Sequence, residues 1–160
     1  MSEEKKFTLN EAQVEFAKKI NGQVWTLLET PERSNADDWE MLHAAHASLY
    51  HWLQVGTGLH HQRGEWLVSR VHTILGNGNE AVMHANRCLE LTEYYSDLLK
   101  DFDLAFAFES AARANALAGN IKDAEGFIER AQSAGEAIAN EEDQVIFFND
   151  FNGGNWHGVR

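Results

Sequence analysis

The chain has 160 residues and a mass of 18.1 kDa, enough for one domain or one short repeat array and too little for a second independent core. Thirteen basic against twenty-five acidic side chains leave a net charge of −12, a field that repels phosphate backbones and anionic bilayers, so nucleic-acid and membrane partners are not expected. With 44% hydrophobic and 24% charged residues the composition is that of a folded domain, and no apolar run nears the roughly 20 residues a membrane-crossing helix needs.

A single proline, Pro31, stands against abundant Ala, Leu, Glu and Lys, which lose least on entering a helix, and no β-branched alternation is sustained. The expectation is an all-α fold. A first helix opens at Thr8 or Asn10, with Glu11 at capping-box distance from Thr8, and carries Val14, Ala17, Val24, Leu27 and Leu28 until Pro31 stops it. Residues 1–7 ahead of it are expected to be flexible. Asn35 caps a second helix over 36–55, whose stripe is Trp39, Leu42, His46, Leu49 and Leu53, with small Ala44, Ala45 and Ser48 on another side open to close approach. Third and fourth helices cover about 59–75 and 79–95, the latter burying Ala81, Val82, Ala85, Cys88 and Leu89, with Gly76-Asn77-Gly78 between them. Asp101 or Asp103 caps a fifth, alanine-rich helix running to Ala118, and a sixth spans about 122–139. Asn140, with Glu141, Glu142 and Asp143 in the first turn, starts a short seventh. The tail 152–160 is too glycine-rich for a helix, and its Trp156 either folds back over the bundle, enters a partner subunit or frays with the end.

Gly76 and Gly119 lie 43 residues apart, and aligning them sets Ala81 over Ala124, Ala85 over Ile128 and Cys88 over Ala131, mostly small residues where paired helices approach closely. The string from Ala118 to Ala124 with Ile128 and Ala131, and its weaker echo from Leu75 to Ala81, resemble the turn and second helix of a tetratricopeptide repeat (TPR). The departures are the longer repeat, Ser69 and Ala112 where the first helix carries Gly, and Glu65 and Phe108 at its aromatic position, with 93–100 as an insertion. The stretches 43–52, 63–71, 101–106 and 150–156 also look like a set of small bacterial TPR-like proteins of uncharacterised function. The resemblance implies one domain over 1–160, built of antiparallel helix pairs stacked as a short right-handed array with a C-terminal capping helix, and it supplies no catalytic residue.

Three constellations could carry chemistry. Six of eight histidines fall between His43 and His72, and His43 and His46 share a helical face with Tyr50, with His60 or His61 able to close over them. No His-Glu-x-x-His or paired Cys-x-x-Cys pattern accompanies them, so no metal or cofactor is assigned, and the alternative leaves His46 in the core with His60, His61 and His84 solvated. By analogy with the repeat fold, steps of three and four put Arg63, Trp66 and Arg70 on one groove-facing helix and Phe106, Glu109 and Arg113 on the next. These arginines either line a slot for a carboxylate or phosphate or are consumed by Glu65, Glu109, Asp101 and Asp103. Cys88 sits on an apolar stripe, where a buried, unreactive thiol is expected, and no serine occupies a glycine elbow.

The reading is a helical-repeat binding or scaffolding module, favoured over an enzyme, with a groove of Arg63, Trp66, Arg70, Glu109 and Arg113 neighboured by His43, His46 and Trp52. It takes a protein, an anionic peptide end or a small acidic ligand. The alternatives are a small-molecule or metal-dependent enzyme on His43, His46 and Glu65, and a self-associating structural protein, for which a homodimer would cover the apolar end faces. One cysteine and the absence of an apolar signal core behind Met1–Lys6 make the cytoplasm the expected compartment.

Overall fold

The computed structural model describes residues 2–160, and among them it is all-helical, with no strand. The elements are α1 (Leu9–Glu29), α2 (Asn35–Val55), α3 (Gly58–Leu75), α4 (Gly78–Tyr94), a 3₁₀ turn (Ser96–Leu98), α5 (Asp101–Ala118), α6 (Ile121–Glu136) and α7 (Glu141–Asn152). No helix among the described residues is long and apolar enough to cross a membrane.

The helix starts are set by side chains that satisfy otherwise unpaired N–H groups. Thr8 Oγ1 accepts from the Glu11 N–H at 3.2 Å while Glu11 accepts the Thr8 N–H at 2.8 Å, a capping box. The second helix starts one residue earlier than the sequence suggests, because Ser34 rather than Asn35 is the cap and Asp37 returns the bond at 2.8 Å. Between α1 and α2, Arg33 donates Nε to Asp38 at 2.7 Å and reaches the Leu27 and Thr30 carbonyls at the end of α1. Asp103 accepts the Lys100 N–H at the start of α5, and Asp101 accepts the Ala139 N–H, tying the segment after α6 to α5. Asn140 caps α7 as expected, whereas α6 stops at Glu136 rather than 139 as Ala137 and Ile138 tighten into a turn.

Each helix packs on its predecessor, most extensively within the pairs α1/α2, α3/α4 and α5/α6, and short loops make these neighbours antiparallel. Helix α3 also meets α5, and α5 meets α7, so these odd-numbered helices form one continuous layer. The core runs through the stack in three clusters: Val24, Met41, Leu49, Leu67, Val68 and Val71 between α1, α2 and α3; Ala81, Ala85, Ala111 and Ala114 between α4 and α5; and Ala105, Ala131, Phe147, Phe151 and Trp156 at the C-terminal end.

The expected stripe of α2 is rotated in the fold. Met41, Ala44, Ala45, Ser48 and Leu49 are buried, whereas Trp39, His46 and Leu53 are exposed. Small side chains let α1 come close enough for Ser48 Oγ to donate to the Ala17 carbonyl at 2.9 Å; of the expected stripe Leu49 is in the core and Leu42 packs against it, while Trp39, His46 and Leu53 face outward.

The 43-residue echo is a repeated turn. Gly76 and Gly119 both adopt φ of +82°, a left-handed helix end that glycine reaches without steric cost. In each, the next asparagine donates its backbone N–H to a carbonyl five residues back at 2.9 Å, Asn77 to His72 and Asn120 to Asn115.

Candidate functional site

Helices α3, α5 and α7, with the end of α1, enclose an open groove floored by an aromatic ladder. Trp25 stacks on Trp66 at 6.0 Å, Trp66 meets Phe106 edge-on at 5.8 Å, and Phe106 meets Phe147 at 5.1 Å. Two adjoining cavities share Trp66 and Asp150. One, about 450 Å³, is bounded by Trp25, Arg63, Phe102, Phe106 and Ile146. The other, about 380 Å³, is bounded by Arg70, Glu109, Arg113 and the backbone of Gly153, Gly154 and Asn155.

The structure brings Arg63, Trp66, Arg70, Glu109 and Arg113 together, and gives the three arginines three different roles. Arg63 is consumed: Nε and Nη2 donate to the two carboxylate oxygens of buried Asp103 at 2.9 and 3.0 Å, a bidentate fork, and its guanidinium lies 5.3 Å over the Phe102 ring. Arg113 is consumed too. Its Nε donates to Glu109, Nη2 to the carbonyls of Asp150 and Gly153 at 2.5 and 2.8 Å, and Nη1 to that of Asn155 at 3.2 Å. Burial pushes the Glu109 carboxyl up and the Arg113 charge opposes that shift. Arg113 also stacks 4.1 Å over Trp156, so it clamps the tail to α5. Gly154 passes so close, with φ of +72°, that a Cβ there would sit 2.8 Å from Arg113 Nη1.

Arg70 is the exception. Its nearest carboxylate, Asp150, lies 3.9 Å from Nη1, beyond hydrogen-bond distance, and its Nε is buried with no partner. It lies 5.6 Å over Trp66, whose indole Nε1 is likewise buried and unpartnered. The wall shared by these two side chains thus carries two donors without acceptors, each of which costs about 1–3 kcal/mol when left unmade.

The three expected neighbours of the groove do not line it. His43 stacks on Trp39, and Trp52 stacks on His60 at 4.2 Å, both on surfaces of α2 turned away. His46 joins His72 and His84 rather than His43, with candidate ligand atoms of the three all within 4.8 Å of one another. His84 is therefore not solvated: its Nδ1 donates to Glu65 at 2.6 Å, and both side chains are mostly buried. Packing among these neighbours and the adjacent His84 hold His46 and His72 below the ordinary imidazole pKa.

Sequence reasoning missed Trp25, Asp150, His72 and His84. A signal for His72 was present, since the 43-residue shift sets it over Asn115, a turn-supporting position. Trp25 and Asp150 depend on how distant helices stack, which no local pattern reports.

The tail question resolves inward: Trp156 is buried and donates Nε1 to the Phe151 carbonyl at 3.1 Å, while Arg160 lies 4.1 Å over Phe151. Cys88 is fully buried, and burial pushes its thiol up to about 12. A disulfide-exchange reagent at pH 8 is accordingly expected to leave the native thiol unmodified and to titrate one thiol after denaturation; rapid native labelling would contradict that placement.

No family model, curated protein or solved structure matches this chain.

Proposed function

We propose that the chain is a short TPR-like array, with the right-handed stacking of such repeats, that acts as a binding module for a carboxylate- or phosphate-bearing ligand such as a peptide end or small acid. Supporting the architecture are the antiparallel pairs, the layer formed by α3, α5 and α7, and the two matching left-handed turns at Gly76 and Gly119. The observation that carries the binding reading is the pair of unpartnered donors, Arg70 Nε and Trp66 Nε1, on the wall of the 380 Å³ cavity.

An anion seated at the Arg70 guanidinium, with a side-chain shift that uncovers the buried Nε and the Trp66 indole, gives both unmet donors an acceptor. Selection comes from the surroundings. The aromatic ladder offers flat apolar surface to the rest of the ligand, and Asp150, 3.9 Å from Arg70 Nη1, bars an anion from that side of the guanidinium. Arg63 and Arg113 hold the groove's walls in place and leave ligand capture to Arg70.

The test is a thermal-shift panel of inorganic phosphate, citrate and a peptide offered with a free or amidated C-terminus. At least one anion is expected to stabilise the wild type, and Arg70→Ala, which removes from the half-exposed Asp150 carboxylate only a 3.9 Å contact, to weaken that binding about 10- to 100-fold, the worth of a charge-assisted hydrogen bond. Equal binding by wild type and variant, or no stabilisation by any anion, would contradict the proposal.

A further inference from the structure

We propose that His46, His72 and His84 form a binding site for one late first-row divalent cation such as Zn²⁺, backed by Glu65 and open on its fourth side. The site lies on α2, α3 and α4, and none of its four residues lines either cavity of the groove, so it stands apart from the anion-binding reading.

The geometry of the first pair is the starting point. His46 Nε2 and His72 Nε2 face each other at 3.4 Å, longer than a good N–H···N hydrogen bond. Metal–nitrogen bonds of about 2.0–2.1 Å meeting at the tetrahedral angle place neighbouring ligand nitrogens about 3.3 Å apart, so the observed gap is the edge of such a site. His84 completes the third corner: its ring stands edge-on to His46 at 5.4 Å and parallel to His72 at 5.5 Å. A closure of the 4.8 Å spread by side-chain rotation brings the three onto one ion.

The outer contacts orient the ligands. A carboxylate only accepts, so Glu65 at 2.6 Å fixes the proton of His84 on Nδ1 and leaves the lone pair on Nε2, the arrangement that supports histidine ligands in metal sites. Asn77 Nδ2 sits 3.2 Å from His72 Nδ1, and metal binding through His72 Nε2 requires that carboxamide to turn over so that its oxygen accepts from Nδ1–H. The fold itself does not require these histidines. Forty-three residues on, the same turn is built with Asn115 in place of His72 and Phe127 in place of His84, and Asn120 donates to Asn115 at 3.0 Å. Three imidazoles without a thiolate favour zinc, nickel, cobalt or copper over magnesium or calcium. Exposed His46 leaves the fourth position to water or an incoming ligand.

The experiment titrates Co²⁺ and then Zn²⁺ into tag-free, chelator-stripped protein at pH 7.5. The expected result is one equivalent of Co²⁺ with the intense visible absorption of a tetrahedral centre, displaced by one equivalent of Zn²⁺. His46→Ala, at an exposed position, keeps the helical circular-dichroism spectrum and weakens binding at least tenfold. Glu65→Gln weakens it about 10- to 100-fold by loosening His84. His43→Ala and Arg70→Ala bind as the wild type does. Absence of saturable binding in the wild type, or one-equivalent binding that His46→Ala leaves unchanged, as capture by His60 and His61 would give, overturns the proposal.

Discussion

Replacing Arg113 with methionine is expected to destabilise the protein by about 3–5 kcal/mol, the cost of stranding a buried charge. Glu109 is 1% exposed and has Arg113 as its ion-pair partner, and the same guanidinium holds the Asp150 carbonyl of α7 and two tail carbonyls. Without that charge, burial, joined by Asp150, is opposed by Arg70 alone, and the Glu109 pKa rises further above the ordinary value of 4.5. A carboxyl whose pKa is higher in the folded than in the unfolded state contributes stability at low pH and loses it as pH rises through the folded value. The variant should therefore recover stability on acidification toward pH 4.5, relative to wild type, and adding Glu109→Gln should restore much of the loss at neutral pH. Urea unfolding followed by circular dichroism measures both, and a loss below about 1 kcal/mol would show that the pair is not buried as described. Trp156 fluorescence should shift to the red in the single variant as the tail releases.

Phe147→Ala is expected to cost about 3–5 kcal/mol and to loosen α7 selectively. Phe147 is fully buried and is the ring through which Phe106 of α5, Phe148 and Phe151 meet, while Gly135 of α6 has no side chain so that the ring can lie against it. Because α7 supplies Asp150 and Ile146 to the groove, a residue that touches no ligand should still lower anion affinity. Limited proteolysis within 141–152 reports the loosening, and an unchanged urea midpoint would contradict the core assignment.

Much of the fold was legible because its determinants are local. Thr8 with Glu11, Asn140 with Asp143, and the paired glycines at 76 and 119 specify helix ends through hydrogen bonds that span three to five residues. The error in α2 has the opposite origin. Trp39 and Leu53 read as part of a buried stripe, yet they face outward, while Leu49 and the small Ala44, Ala45 and Ser48, the side read as open to close approach, turn inward. The site was partly legible in the same sense. Spacing placed Arg63, Trp66 and Arg70 on one face, but which arginine remains unpaired depends on Asp103, Asp150 and two tail carbonyls contributed by other elements. Likewise His43 and His46 share a helix while His46 finds its partners on α3 and α4.

The central claim is that the Trp66 indole and the Arg70 guanidinium await an anionic acceptor, and ¹H–¹⁵N correlation spectra observe the indole directly. The chain has five tryptophans, whose side-chain signals are few enough to assign, with Trp66→Phe identifying the one in the groove. On titration with the anion that stabilises the protein most, the Trp66 signal should move and saturate while those of Trp39 and Trp156 stay, and Arg70→Ala should abolish the shift. A Trp66 signal that remains still while that anion binds would place the ligand elsewhere and contradict the account.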